Sequence, residues 1–135
     1  RRQDRPREEG NPVTMAVRPP RQFTASQKDP LTRALEQEVM SEKADTLARL
    51  MTRLEKALAR LAAHEERIAQ AEAEGAVSPD TARRQRLVAE AGEALWHVVI
   101  QRELCGMRRH DGLMRQMGVP RAVHLNMGPA SLRKP

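Results

Sequence analysis

Side chains that could take part in chemistry are concentrated in residues 93–112, EALWHVVIQRELCGMRRHDG. This stretch holds the only tryptophan, Trp96, the only cysteine, Cys105, and two of the four histidines, His97 and His110. A catalytic thiol needs a base within reach, but His97 lies eight residues before Cys105, more than two helical turns away. We therefore expect Cys105 to pack as a small apolar side chain.

A metal site is the second chemical possibility. Glu93 and His97 are four residues apart on a helix face shared with Glu90 and Gln101, whereas di-iron sites in helical bundles use a Glu-x-x-His spacing. We interpret Glu93 and His97 as an ion pair on a solvated strip. His64, in HEERI, does not form the HExxH zinc motif, and we place it on the polar side of a first helix. We predict no catalytic, cofactor or metal site, and we expect a protein that is not an enzyme.

The composition predicts an all-α fold. Tyrosine is absent, Phe and Trp occur once each, and charged residues make up 31% of the chain. Ala, Leu, Arg and Glu dominate, which is typical of long helices. The elements that position residues 93–112 are therefore expected to be helices.

The first helix is predicted over residues 30–74. Asp29 followed by Pro30 is a strong helix start. Apolar residues then recur at alternating spacings of four and three, interrupted at Glu65, which is a heptad pattern. They are Met40, Ala44, Leu47, Met51, Leu54, Leu58, Leu61 and Ile68.

A second helix is predicted over residues 79–110. Gly75 suits the end of the first helix, and Ser78 with Pro79 suits the start of the next. The matching apolar seam (Val88, Ala91, Leu95, Val98 and Cys105) and the short connection predict a long antiparallel hairpin resembling a coiled coil. We expect His110 at the C-terminal dipole of this helix.

Two short helices are predicted after the hairpin, over residues 112–118 and 120–127. The first helix is longer than the second, so its first 12 residues or so, including Leu31, Leu35 and Val39, project beyond the hairpin. We expect apolar residues of the tail to cover them. They are Leu113, Met114, Met117, Val119, Val123, Leu125 and Met127.

A second apolar face lies on the second helix, about 100° from the hairpin seam. Its residues are Gly92, Trp96, Val99, Gly106 and Met107, with Ile100 at the edge. Either a second copy of the chain or the tail of the same chain has to cover it. We favour a homodimer, with Trp96 as an anchor and the two glycines allowing close backbone approach.

Basic residues are unevenly distributed along the chain, whose net charge is +6. Residues 75–135 carry ten basic and five acidic side chains, and the candidate patch for an anionic partner is Arg102, Arg108, Arg109, Arg115 and Arg121. No nucleic-acid-reading motif accompanies this patch. The first hypothesis is thus a homodimeric helical scaffold with an unidentified protein partner, and the alternative is a nucleic-acid-associated protein.

The remaining features concern boundaries and location. Without a long apolar run or a disulfide pair, we expect no membrane contact and a cytoplasmic location. Residues 1–29 are basic, proline-rich and expected to be disordered, and residues 1–12 or 1–14 are interpreted as an untranslated leader that was read through in error. The helical domain is expected over 30–128, followed by a frayed tail over 129–135.

Four segments carry a resemblance to a known family. VRPPRQF, EVMSEKADTLARL, EALWHVVIQRELCG and MGVP, between Val17 and Met127, resemble a small uncharacterised helical family of bacteria, a domain of unknown function. The resemblance implies no established activity, and it transfers no functional residues to this chain.

Overall fold

The computed structural model describes residues 29–76 and 80–129, of which 82% are helical and none is in a strand. Four helices follow one another: α1 (Pro30–Ala73), α2 (Thr81–Leu104), α3 (Asp111–Met117) and α4 (Arg121–Leu125). The all-α prediction, with a long helical pair and short C-terminal helices, is confirmed. The predicted disorder and leader over 1–28, the predicted start signal at 78–79 and the predicted frayed tail over 130–135 concern positions outside the described residues.

The start of α1 follows the predicted capping chemistry. Asp29 is the N-cap, and its Oδ1 accepts a hydrogen bond of 2.6 Å from the Thr32 backbone N–H, with Pro30 in the first turn. The 44 residues of α1 give it a length of about 66 Å. A helix of this length depends on packing against other elements for its stability.

The core lies between the middle of α1 and α2 and is closed by the two short helices. Buried side chains come from all four helices, and Leu54, Leu95, Val98 and Val123 have no exposed surface. The complete buried apolar set is Leu54, Ala57, Leu61, Val88, Ala91, Ala94, Leu95, Val98, Leu113 and Val123. Of the predicted seam, Leu54, Leu61, Val88, Ala91, Leu95 and Val98 lie in this core, whereas Met40 and Ala44 are exposed.

His64 departs from its predicted position on the polar side of α1. It is 4% exposed, and its Nε2 has no hydrogen-bond partner among the described residues. The neighbouring Glu65 is exposed and pairs instead with Arg84 of α2 at 3.1 Å. His64 lies seven residues after the buried Ala57, so the buried side of α1 here includes residues 57 and 64 in place of residues 58 and 65.

The bounds of α2 also differ from those predicted. α2 begins at Thr81, after an Asp80 N-cap whose carboxylate accepts from the Arg83 backbone N–H at 3.0 Å. It ends at Leu104, six residues before the predicted His110. His110 is instead the N-cap residue of α3. The early end has a local cause at Gly106, whose φ of +88° leaves the helical region.

Three of the helices end in the same way. A glycine with positive φ lies in the turn that ends each of them, namely Gly75 after α1, Gly106 after α2 and Gly118 after α3. After α2, the Met107 N–H donates to the Arg102 carbonyl at 2.9 Å and the Gly106 N–H donates to the Glu103 carbonyl at 2.9 Å. This pair of bonds is the Schellman motif, which satisfies the last carbonyls of a helix.

The C-terminal helices return along the hairpin instead of covering the projecting end of α1. A cavity of about 310 Å³ between α1 and α3 is lined by Met51, Leu58, Leu113 and Met117, among others, and α4 packs against α2. The prediction that the tail covers Leu31, Leu35 and Val39 is therefore wrong. The short helices dock where both long helices offer apolar surface, which the projecting end of α1 alone does not.

Candidate interaction surface

The projecting segment of α1, residues 30–42, is the first part of the candidate surface, and we refer to it as the overhang. α2 ends beside Lys43, whose backbone carbonyl accepts from Gln101 Nε2 at 3.1 Å and contacts Cys105 Sγ at 4.0 Å. The Lys43 ammonium in turn donates to the Leu104 carbonyl at 3.5 Å. These contacts mark the last level at which α1 and α2 face each other.

Large apolar side chains on the overhang remain in contact with solvent. Leu31 is 69% exposed, Leu35 is 55% exposed, and Val39 and Met40 are each about half exposed. Leu31, Leu35 and Val39 are four residues apart, so they form one ridge on the helix surface. We refer to these three residues as the apolar ridge.

Asp29 secures the first turn of the overhang. The hydrogen bond from the Thr32 backbone N–H holds the pKa of the Asp29 carboxyl below its ordinary value of 3.8, with a further contribution from the Thr32 side chain. The ionised carboxylate also lies at the positive end of the helix dipole. The apolar ridge is therefore presented on a capped helix from its first turn onwards.

The turn between α2 and α3 is held in place by Arg102. Its Nε–H donates to His110 Nδ1 at 3.2 Å, and its Nη2 donates to the Arg109 carbonyl at 3.1 Å. Because a guanidinium can only donate, His110 Nδ1 is an acceptor. Nε2 is then the protonated nitrogen of the neutral ring, and it faces Glu103 Oε1 at 3.4 Å.

The five arginines of the predicted basic patch therefore have two different environments. Arg102 is partly buried and engaged in the turn, whereas Arg108, Arg109, Arg115 and Arg121 are exposed. Arg108 and Arg109 follow the end of α2, Arg115 lies in α3 and Arg121 begins α4. The structural role of Arg102 has no signal in the sequence, because its partners, His110 and the Arg109 carbonyl, lie beyond the end of the helix.

The predicted second face of α2 is divided in the structure. Gly92 is buried, Val99 packs against the core, and Trp96 is partly buried with its ring centroid 5.1 Å from that of His97. Ile100 and Met107 are 37% and 38% exposed. α4 contacts α2, so a segment of the same chain provides part of the packing around this helix.

Gly106 does not belong to that face. It lies after the end of α2, and a Cβ built on it would meet no atom within 4 Å. Its positive φ gives it a conformational role in the Schellman motif. Met107 lies beyond the helix for the same reason.

The residues considered for chemistry are dispersed in the structure. Cys105 is partly buried against α1, while Glu90 pairs with Arg60 across the hairpin, so its face is not simply a solvated strip. His97 has a buried Nδ1 with no hydrogen-bond partner in the described ranges. Within residues 29–76 and 80–129, no three His, Cys, Asp or Glu side chains lie close enough together to hold a metal ion.

The membrane prediction concerns the long helices. Among the described residues, no helix combines the length and the apolar character needed to cross a bilayer.

Comparison with known proteins identifies the family. No curated protein and no solved structure matches the chain. Residues 21–133, which include all four helices, match the family of unknown function DUF6665. The resemblance to an uncharacterised family is thereby confirmed, and the chain belongs to the family of unknown function DUF6665.

Proposed function

We propose that this protein is a non-enzymatic helical interaction protein that forms a homodimer through its overhang. The proposal retains the homodimer expected from the sequence but places the contact on α1 instead of around Trp96. The apolar ridge of Leu31, Leu35 and Val39 is the observation that carries it.

The ridge is distinctive because it is continuous. Scattered exposed apolar side chains are normal on any protein surface, but a contiguous set is typical of an interaction site. Leu125, which is 72% exposed in α4, is an example of the scattered kind. The ridge instead places three side chains on successive turns of one capped helix.

The position of the ridge supports binding to another helix. One turn after Val39, at Lys43, the same side of α1 is already in contact with α2. The overhang therefore extends a helix–helix interface past the end of one of its two members. A second helix is the element best suited to continue it, since residues four apart form the ridges by which helices pack.

Nucleic-acid binding through the exposed arginines is the second candidate. Four of the five predicted residues, Arg108, Arg109, Arg115 and Arg121, are exposed. Exposed arginines alone also suit an ordinary solvated surface. We rank this candidate lower because the structure gives the arginines no stacking aromatic or reading element within the described residues.

Light scattering over a concentration series tests the dimer. The mass of the wild-type protein should rise with concentration from that of the 15.2 kDa chain towards twice that value. Leu35→Glu should remain monomeric over the same range, because it places a charge in the apolar contact. Leu125→Glu, at an exposed leucine outside the overhang, is the matched control and should dimerise like the wild type.

Two results would overturn the proposal. One is a wild-type protein that stays monomeric at every concentration, and the other is a dimer that Leu35→Glu leaves unchanged. Purification with bound nucleic acid that is released as the salt concentration rises would instead support the second candidate.

A further inference from the structure

We propose that the turn between α2 and α3 is sensitive to pH, and that protonation of His110 releases the side chain of Arg102 from it. The turn comprises residues 105–110, between the end of α2 at Leu104 and the start of α3 at Asp111. It is a different part of the molecule from the apolar ridge, and the inference does not depend on the homodimer.

The contact between Arg102 and His110 requires a neutral imidazole. Arg102 Nε–H donates to His110 Nδ1 at 3.2 Å, and a guanidinium has no lone pair with which to accept. His110 Nδ1 must therefore be unprotonated for this bond to exist. Because both ring nitrogens of a protonated histidine carry hydrogens, the bond is lost on protonation in either orientation of the ring.

Charge repulsion adds to the loss of the acceptor. A protonated His110 would place a second positive charge beside the Arg102 guanidinium. The His110 side chain is only 13% exposed and Arg102 is partly buried, so solvent and salt screen this repulsion less than on an open surface. The protonated ring and the guanidinium are therefore expected to separate.

Glu103 determines which of the two side chains moves. Its Oε1 lies 3.4 Å from His110 Nε2. With a neutral ring this contact is a hydrogen bond, and with a protonated ring it becomes an ion pair, which is the stronger interaction. The ring therefore remains beside Glu103, and Arg102 is the side chain that leaves.

The other charged groups around the turn have both signs. Arg109 and Asp111 flank His110 in the chain, and on the α1 side the Lys43 ammonium reaches the Leu104 carbonyl at 3.5 Å. Among the described residues, the side chain of His110 forms its hydrogen bonds and ion pair with α2. The two α2 side chains, one on each ring nitrogen, are thus the direct partners of the ring.

Release of Arg102 also affects the main chain of the turn. Its Nη2 donates to the Arg109 carbonyl at 3.1 Å, and its own carbonyl accepts from the Met107 N–H at 2.9 Å in the Schellman motif. When the guanidinium leaves His110, the bond to Arg109 is expected to weaken as well. We therefore expect the Met107 amide to exchange more readily with solvent at acidic pH.

Nuclear magnetic resonance of the full chain between about pH 8 and pH 5, the range in which histidines change charge, tests this inference. The nitrogen chemical shifts of the His110 ring should show an unprotonated Nδ1 at the upper limit and two protonated nitrogens at the lower limit. The Arg102 Nε–H signal should change with the same midpoint. The protection factor of the Met107 amide should fall about tenfold, comparable to the loss of one hydrogen bond to a charged group.

The chain contains its own control for this measurement. The Ala76 N–H donates to the Ala71 carbonyl at 2.9 Å in the equivalent motif after α1. Its protection factor should stay constant over the same pH range, because no arginine–histidine contact is recorded beside it.

Two variants separate the titration from the hydrogen bond. His110→Asn offers an oxygen at the position of Nδ1 that can accept from Arg102 but does not titrate, so the protection of the Met107 amide should become independent of pH. His124→Asn, at an exposed histidine of α4, is the matched control and should keep the wild-type response.

Three results would overturn the inference. The first is a His110 ring that stays neutral down to about pH 5, and the second is a ring that becomes protonated while the Arg102 and Met107 signals do not change. The third is an equal loss of Met107 protection in His110→Asn. The first two are measured on the wild-type protein, so they decide the question even if a variant does not fold.

Discussion

Leu54 and Leu35 belong to the same helix, but Leu54 has no exposed surface whereas Leu35 is 55% exposed. Nothing in α1 itself changes between them, since the helix is continuous from Pro30 to Ala73. The difference comes from the neighbours: around Leu54, α1 packs with α2 and the short helices, and around Leu35 α2 has already ended. Burial in this protein is therefore decided by where α2 stops.

The strongest way to test this comparison is to shorten a leucine in each region. Leu95→Ala, at a fully buried position opposite α1, should lower the free energy of unfolding by about 2–5 kcal/mol, because it leaves a cavity. Leu35→Ala should change it by less than about 0.5 kcal/mol in dilute protein. Chemical denaturation followed by circular dichroism measures both, and equal losses would mean that the overhang is buried in the monomer.

A second test concerns Arg102, which lies near the end of α2, between the packed part of the hairpin and the overhang. Arg102→Ala removes the hydrogen bonds to His110 and to the Arg109 carbonyl, and it should lower the free energy of unfolding by about 1–3 kcal/mol. Arg108→Ala, at an exposed neighbour, should change it by less than about 0.5 kcal/mol. If both variants behaved alike, the structural role of Arg102 would be refuted.

His64 tests whether the core is fully optimised for stability. His64→Leu replaces a buried ring, whose Nε2 has no partner among the described residues, by an apolar side chain, and it should raise the free energy of unfolding by about 1 kcal/mol. His124→Leu, in an exposed position of α4, should have almost no effect. A destabilised His64→Leu protein would show that the imidazole contributes a favourable interaction.

The smallest effect is expected at the first turn of the overhang. Because the pKa of Asp29 is lowered in the folded chain, its capping contribution is present above the unfolded value of 3.8 and is lost as the pH falls through the folded value. Amide hydrogen exchange at Thr32 should therefore become less protected at acidic pH in the wild type. In Asp29→Ala the protection should already be low and should not show this acid transition.

The sequence predicted the number and order of the helices better than it predicted which side chains pack between them. The cap at Asp29 and the glycine at position 75 located α1 closely because both signals are local. The early end of α2 was missed because Gly106 was assigned to a helix face, although the same residue type ends helices. The heptad also placed His64 outside the core, because it was traced through residues 58 and 65, whereas the buried positions are Ala57 and His64.

The candidate surface was only partly predictable, because its exposure depends on where the other helices pack. The unequal helix lengths identified Leu31, Leu35 and Val39 as residues that project beyond the hairpin. Their exposure was not foreseen, because the docking of α3 and α4 depends on the shape of the groove along the hairpin. Such packing is a property of the assembled elements and has no periodic signal in the tail.

The glycine that ends α2 also determines how much of α1 projects beyond the hairpin. Gly106 fixes the level at which α2 leaves α1, so the amount of apolar surface left open on α1 depends on the position of this one residue. Moving the glycine seven residues later would add about two turns to α2 and cover much of the ridge. The position of one helix-ending glycine therefore sets the length of the overhang. That length can change without a substitution in the overhang itself.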